Sequence, residues 1–143
     1  MSSTVVQEGR VEPGFGLRRI GQIAVVVSDV GRATRFYRDV LGMRLLFEAP
    51  PGLAFFDCGG IRLMLSPPEG PETAAMSSIL YYDVADIHAA YDTLAARGVQ
   101  FEGAPHVVAP LGERDLWMAF LRDSEGNLLG LMSEVPRKGG SGA

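Results

Sequence analysis

Few side chains in this chain are equipped for chemistry, and they lie far apart. Gln22 interrupts the apolar run "RIGQIAVVV", Arg62 stands in "GIRLMLS", Tyr81 in "SSILYYDVAD" and His106 in "GAPHVVAP". An arginine within an apolar strand suits bidentate capture of an anionic group, or equally a salt bridge to an acid across the sheets. A glutamine there either satisfies a backbone group or orients a polar ligand atom. His106 follows a proline on or beside a strand, and a histidine can do acid–base work. His88, between apolar positions of a helix, is expected to face solvent. Cys58 has no activating neighbour in sequence and reads as an inert buried thiol. In "LGERDLWMAF", one of Trp117 and Phe120 is expected to pack the core and the other to stack on a ligand or partner chain. No spacing ties these groups into a dyad or triad.

What must position them is a strand–helix–three-strand unit written twice. Ile20–Val27 is apolar and β-branched, hence a strand. Ser28 or Asp29 caps a helix whose Val30, Ala33, Phe36, Tyr37, Val40 and Leu41 recur at helical spacing, and Gly42 stops it. Strands follow over Arg44–Glu48, Leu53–Cys58 and Ile61–Ser66, with "PPG" and "GG" as turns. The second unit runs strand Ile79–Val84, a helix capped by Asp86 and stopped by Gly98, then strands near Phe101–Val108, Asp115–Arg122 and Leu128–Ser133. Asp29 to Asp86 and Gln22 to Ile79 are both offsets of 57, the mark of a tandem duplication. The expected organisation is an arm over 1–17, a first module over 18–66, a linker over 67–77, a second module over 78–134 and a tail over 135–143. One such unit covers only one face of its sheet with its helix. The other face must find a second sheet, and pairing two units leaves a concave chamber.

Composition narrows the partners. The 143 residues are 47% hydrophobic and 21% charged, a soluble globular balance with one cysteine, which fits the cytoplasm. The net charge of −4 and the absence of a basic, aromatic-interleaved stretch argue against nucleic acid. The longest apolar runs are strand-length, so no membrane partner is expected, and the N-terminus lacks the layout of a signal peptide.

"VVVSDVGRATRFYRDVLGM" together with "FLRDSEGNLLGLMSE" resembles the vicinal oxygen chelate superfamily, which includes glyoxalase I, bleomycin-resistance proteins and extradiol dioxygenases. The resemblance spans about residues 19–134 and implies an α+β fold of tandem βαβββ modules forming a cupped mixed sheet. Catalytic members hold a divalent ion through His or Gln in the first strand, Glu in the fourth, His or Gln in the fifth and Glu in the eighth. Carried over, those positions fall on Gln22, Met64, Ile79 and Gly130. One amide oxygen, one thioether and two side chains without donors do not hold Mg²⁺, Zn²⁺ or Ni²⁺, so no metal and no cofactor is expected.

With the four positions Gln22, Met64, Ile79 and Gly130 that the resemblance puts in one hollow, strand parity adds their alternate neighbours, a mainly apolar lining with Gln22, Arg62, Tyr81 and Asp83 as polar anchors; His106 is expected at the mouth, and Trp117 is a further candidate ligand contact. The expected function is binding of a small organic molecule, as in the bleomycin-resistance branch, by a homodimer. The alternative is a metal-independent isomerase or lyase. A metal-dependent glyoxalase or dioxygenase ranks third.

Overall fold

Asp29 and Asp86 start the same structure twice. Each is extended, at φ/ψ of −136°/101° and −135°/102°, and each carboxylate accepts the backbone N–H three residues on, from Arg32 and Ala89, at 3.0 Å. The helices they open are α1 (Val30–Arg35) and α2 (Ile87–Ala96). Gly42 and Gly98, at φ of 75° and 88°, take the left-handed conformation that ends a helix without steric penalty. The computed structural model describes residues 15–70 and 78–137. Of the expected arm, linker and tail, residues 1–14, 71–77 and 138–143 lie outside the described residues.

The first unit holds β1 (Gln22–Val26), β2 (Arg44–Ala49), β3 (Leu53–Cys58) and β4 (Ile61–Ser66), in the order β1-β4-β3-β2. The β1/β4 pair is parallel and the rest antiparallel, because the chain crosses over α1 before returning as hairpins. The second unit holds β5 (Leu80–Asp83), β6 (Gln100–Phe101), β7 (His106–Leu111), β8 (Arg114–Arg122) and β9 (Leu128–Pro136). Their order is β5-β9-β8-β6, with β7 also paired to β8. This is an α+β fold of two mixed sheets. Among the described residues, no helix is long and apolar enough to cross a membrane.

Apart from shifts of one or two residues at the ends of other strands, three elements differ from their expected form. The strand expected over Phe101–Val108 is two strands, β6 and β7, because "EGAP" supplies a glycine and a proline where ladder pairing would continue. The last strand extends to Pro136, two residues past the expected module end. The helix of the first unit changes after Arg35 into a π-helical turn over Phe36–Val40, with the Leu41 N–H donating to the Phe36 carbonyl at 3.0 Å.

That turn has a packing reason. Tyr37 is wholly buried in the first core against Phe56, Leu63 and Leu65, while Val40 packs against the second core beside Leu121 and Leu129; Phe36 and Leu41 touch both. A wider turn rotates the phase of the side chains, which lets one short segment serve two cores.

Polar groups join the units on the same side. The Tyr37 hydroxyl donates to buried Asp123 at 2.8 Å, and the Asn127 side chain donates to the Val26 carbonyl at 3.1 Å. Burial pushes the Tyr37 hydroxyl pKa far above its ordinary range, with Asp123 adding to it, so it stays a donor. The Glu125 carboxylate accepts from Ser28 Oγ, the Asp29 N–H, Arg32 Nε and Nη2, and Ser124 Oγ, all at 2.6–2.9 Å. Arg32, with these hydroxyls and the backbone N–H, holds the Glu125 carboxyl down to about 2 despite its burial.

Candidate functional site

Each helix covers one face of its sheet and leaves the other open. In the first sheet Leu63, Leu65, Ala54 and Phe56 turn toward α1. The alternate residues form the open face, where register places Phe47 beside Phe55, Phe55 beside Met64 and Met64 beside Ala24. The Phe47 and Phe55 rings stack at 4.6 Å, and Phe47 is 47% exposed. The next row carries Asp57, Arg62 and Gln22.

Gln22 and Met64 touch: the amide nitrogen lies 3.9 Å from the Met64 sulfur, a weak bond that leaves the Gln22 carbonyl oxygen without a protein donor among the described residues. Arg62 does not make the salt bridge that was one of its two readings. Its neighbour Asp57 lies 4.0 Å from Arg44, and the Arg62 guanidinium sits 5.8 Å from the centre of the Phe55 ring, with no carboxylate partner among the described residues. The open face therefore offers an aromatic floor, a thioether, an amide oxygen and an exposed cation.

The second sheet repeats the plan. Register aligns Tyr81, Gly130 and Phe120 in one row and Asp83, Met132, Met118 and His106 in the next. The Tyr81 ring meets the Phe120 ring edge-on at 5.9 Å, directly over Gly130. Ile79, just before β5, and Tyr81 are both exposed. His106 is exposed, with Nδ1 3.2 Å from the Ala104 carbonyl oxygen and no acid beside it among the described residues.

Trp117 corrects an expectation. It lies on the helix side of β8, packed against the second core, with its ring 4.9 Å from that of His88. Successive strand residues alternate faces, so Phe120, three residues on, takes the open side and is the aromatic left free to stack. His88 is exposed as expected, although its ring rests on Trp117. Cys58 is half-buried, and burial raises its thiol pKa, which keeps it protonated and unreactive.

Gln22, Arg62 and Met64 thus come together on one sheet, and Ile79, Tyr81, Gly130 and His106 share the open side of the other. Among the described residues no hydrogen bond, ion pair or ring contact joins the two groups. Sequence reasoning missed Phe47, Phe55 and Met118, which supply much of the apolar surface; the alternation in "FEAPPGLAFFD" carries a faint signal for the first two.

The donors do not fit a divalent ion. Gln22 supplies one neutral oxygen, Met64 a soft sulfur and Ile79 none. A side chain at Gly130 would begin 2.6 Å from the Tyr81 ring, so that space is already taken. Among the described residues, no three His, Cys, Asp or Glu side chains cluster closely enough to hold a metal.

The family model described as Glyoxalase/Bleomycin resistance protein/Dioxygenase superfamily matches residues 19–131. The Bacillus subtilis (strain 168) protein YraH is 29% identical over 124 residues, covering 76% of this chain and 92% of that one. TnmS3, an antibiotic binding protein from Streptomyces sp. CB03234, superposes with a TM-score of 0.68 at 24% identity, covering 85% of this chain and 99% of its own. A lactoylglutathione lyase from Agrobacterium tumefaciens superposes with a TM-score of 0.66 at 22% identity, covering 85% and 96%. At such identities the solved structures establish the fold alone.

Proposed function

The chain belongs to the glyoxalase/bleomycin resistance protein/dioxygenase superfamily, and we propose that it binds a small aromatic molecule on its open sheet faces without a metal ion. The observation that carries this reading is Arg62, an exposed guanidinium on an aromatic floor with no carboxylate partner among the described residues. A sparse polar anchor over apolar surface is the usual makeup of a small-molecule site. Stacking on Phe47 and Phe55 supplies area, Arg62 an anchor for an acidic group, and the Gln22 carbonyl an acceptor.

A chamber needs both open faces. Among the described residues no hydrogen bond, ion pair or ring contact joins them, so a second copy is the natural closing surface, and the functional unit is a homodimer with an isologous interface. Cys58, the one cysteine, suits a reducing cytoplasm. Arg62, Tyr81 and His106 make no contact with one another among the described residues, so an enzyme reading lacks a constellation to act through.

The test is a thermal-shift screen of acidic and neutral aromatic compounds, with antibiotics included because TnmS3 is an antibiotic binding protein. The best compound is expected to bind Arg62→Ala about tenfold more weakly, the value of a charge-assisted contact. The unfolding midpoint of the free protein should hardly move, since Arg62 is exposed. Binding that ignores both Arg62→Ala and Phe47→Ala would sink the reading.

A further inference from the structure

On the helix side of the second sheet, away from the open faces, lies a cavity of about 360 Å³. Leu41 and Met43 after the π turn, Thr93 of α2 and Arg97 just beyond its end, and Leu121 and Leu131 of the sheet line it, together with Tyr82. Tyr81 and Tyr82 are consecutive strand residues and so face opposite ways; the cavity is therefore distinct from the site discussed above.

The repeat explains why the space exists. Adding the offset of 57 to Phe36 and Tyr37 gives Thr93 and Leu94; beyond the π turn the offset is the 56 that separates Gly42 from Gly98, so Arg97 answers to Leu41. In the first unit two aromatic rings pack under the helix; in the second a hydroxyl, a leucine and a cation stand at the matching positions. The missing ring volume leaves apolar walls facing water, which an apolar ligand would relieve.

One polar group at the wall says what kind of ligand. Arg97 is exposed at the cavity rim, donates from Nη1 to the Val40 carbonyl at 2.8 Å and meets no carboxylate among the described residues, so its guanidinium is free to take a ligand carboxylate. We propose that this cavity is a second binding site, which takes a small apolar carboxylic acid with its body between α2 and the sheet and its carboxylate on Arg97. A volume near 360 Å³ falls at the lower end of the range for small-ligand pockets.

The probes are 1-naphthoate and the uncharged 1-naphthalenemethanol, titrated into the full, isotope-labelled chain and followed by amide chemical shifts. The expected result is saturable shifts centred on Leu41, Tyr82, Thr93 and Arg97, with the acid binding at least about tenfold tighter than the alcohol. Thr93→Phe, which restores the ring found at Phe36, should abolish binding, and Arg97→Gln should erase the preference for the acid. If Thr93→Phe does not fold, Ala89→Leu at an exposed position of the cavity wall serves the same purpose. Shifts that map instead to Phe55 and Tyr81, equal affinity for acid and alcohol, binding undiminished in the filled variant, or no saturable shift would each overturn the proposal. Arg62→Ala keeps the two sites apart, because cavity binding is expected to survive it.

Discussion

Gly130 shows how one residue decides what a sheet face can do. The Tyr81 ring lies over it, and an added methyl would sit 2.6 Å from one ring carbon. Because that ring belongs to a half-exposed, rotatable side chain, Gly130→Ala should cost only about 1 kcal/mol in urea unfolding. It should nevertheless push Tyr81 off Phe120, a displacement that ring chemical shifts would report. A variant with unmoved Tyr81 shifts would contradict the packing described. That Gln22 and Met64 meet was implied by the family resemblance, which carries both onto ligand positions; strand parity adds only that Arg62 shares the Met64 face. The side that Trp117 faces was not legible. "LWMAFL" is apolar at every position, so it carries no alternation from which the helix-facing side can be read, and only the pairing of β8 with its neighbours assigns it.

At the scale of elements, the duplication was the most readable feature. Two aspartates 57 residues apart cap two helices with backbone angles that agree to one degree. Asp29→Ala and Asp86→Ala should each cost about 1 kcal/mol, the loss of one cap bond. Asp29→Ala should cost no more than its twin, because Glu125 contacts the Asp29 backbone and not its side chain. A several-fold larger loss at Asp29 in chemical unfolding would mean its carboxylate does more than cap. The strands Leu53–Cys58 and Ile61–Ser66 were placed to the residue, since glycine pairs and prolines bound them. The π turn was not legible. Phe36, Tyr37, Val40 and Leu41 fit an ordinary helical stripe, and the widened turn follows from a second core that the local pattern does not contain. The cavity under α2 escaped for a related reason: a missing ring shows only when the two repeats are compared position by position.

For the whole molecule, the joint between units and the closing of the open faces matter most. Glu125 collects bonds from both sides of the joint, and its carboxyl is held down to about 2 from an ordinary 4.5. Between those values the unfolded chain takes up a proton that the folded chain refuses. The stability contributed by Glu125 is therefore complete above about pH 4.5 and lost as the pH falls toward 2. Glu125→Gln should cost about 2 kcal/mol at neutral pH and nothing at the acid end, so the two urea-midpoint curves converge. Parallel curves would remove Glu125 from the account. The open faces, with Phe47, Ile79 and Tyr81 all more than 40% exposed, call for cover that the described residues do not give. Sedimentation of the full chain should show a dimer, and a monomer at all concentrations would leave the proposed chamber without its second wall. The claim on which the rest depends is that ligand binding here needs no ion. Its most direct test is the affinity of the chelated protein for the best compound of the screen, measured again with Ni²⁺, Zn²⁺ or Mn²⁺ restored. The account predicts equal affinities within about twofold; binding that appears only with metal, or strengthens by about tenfold or more, would contradict it.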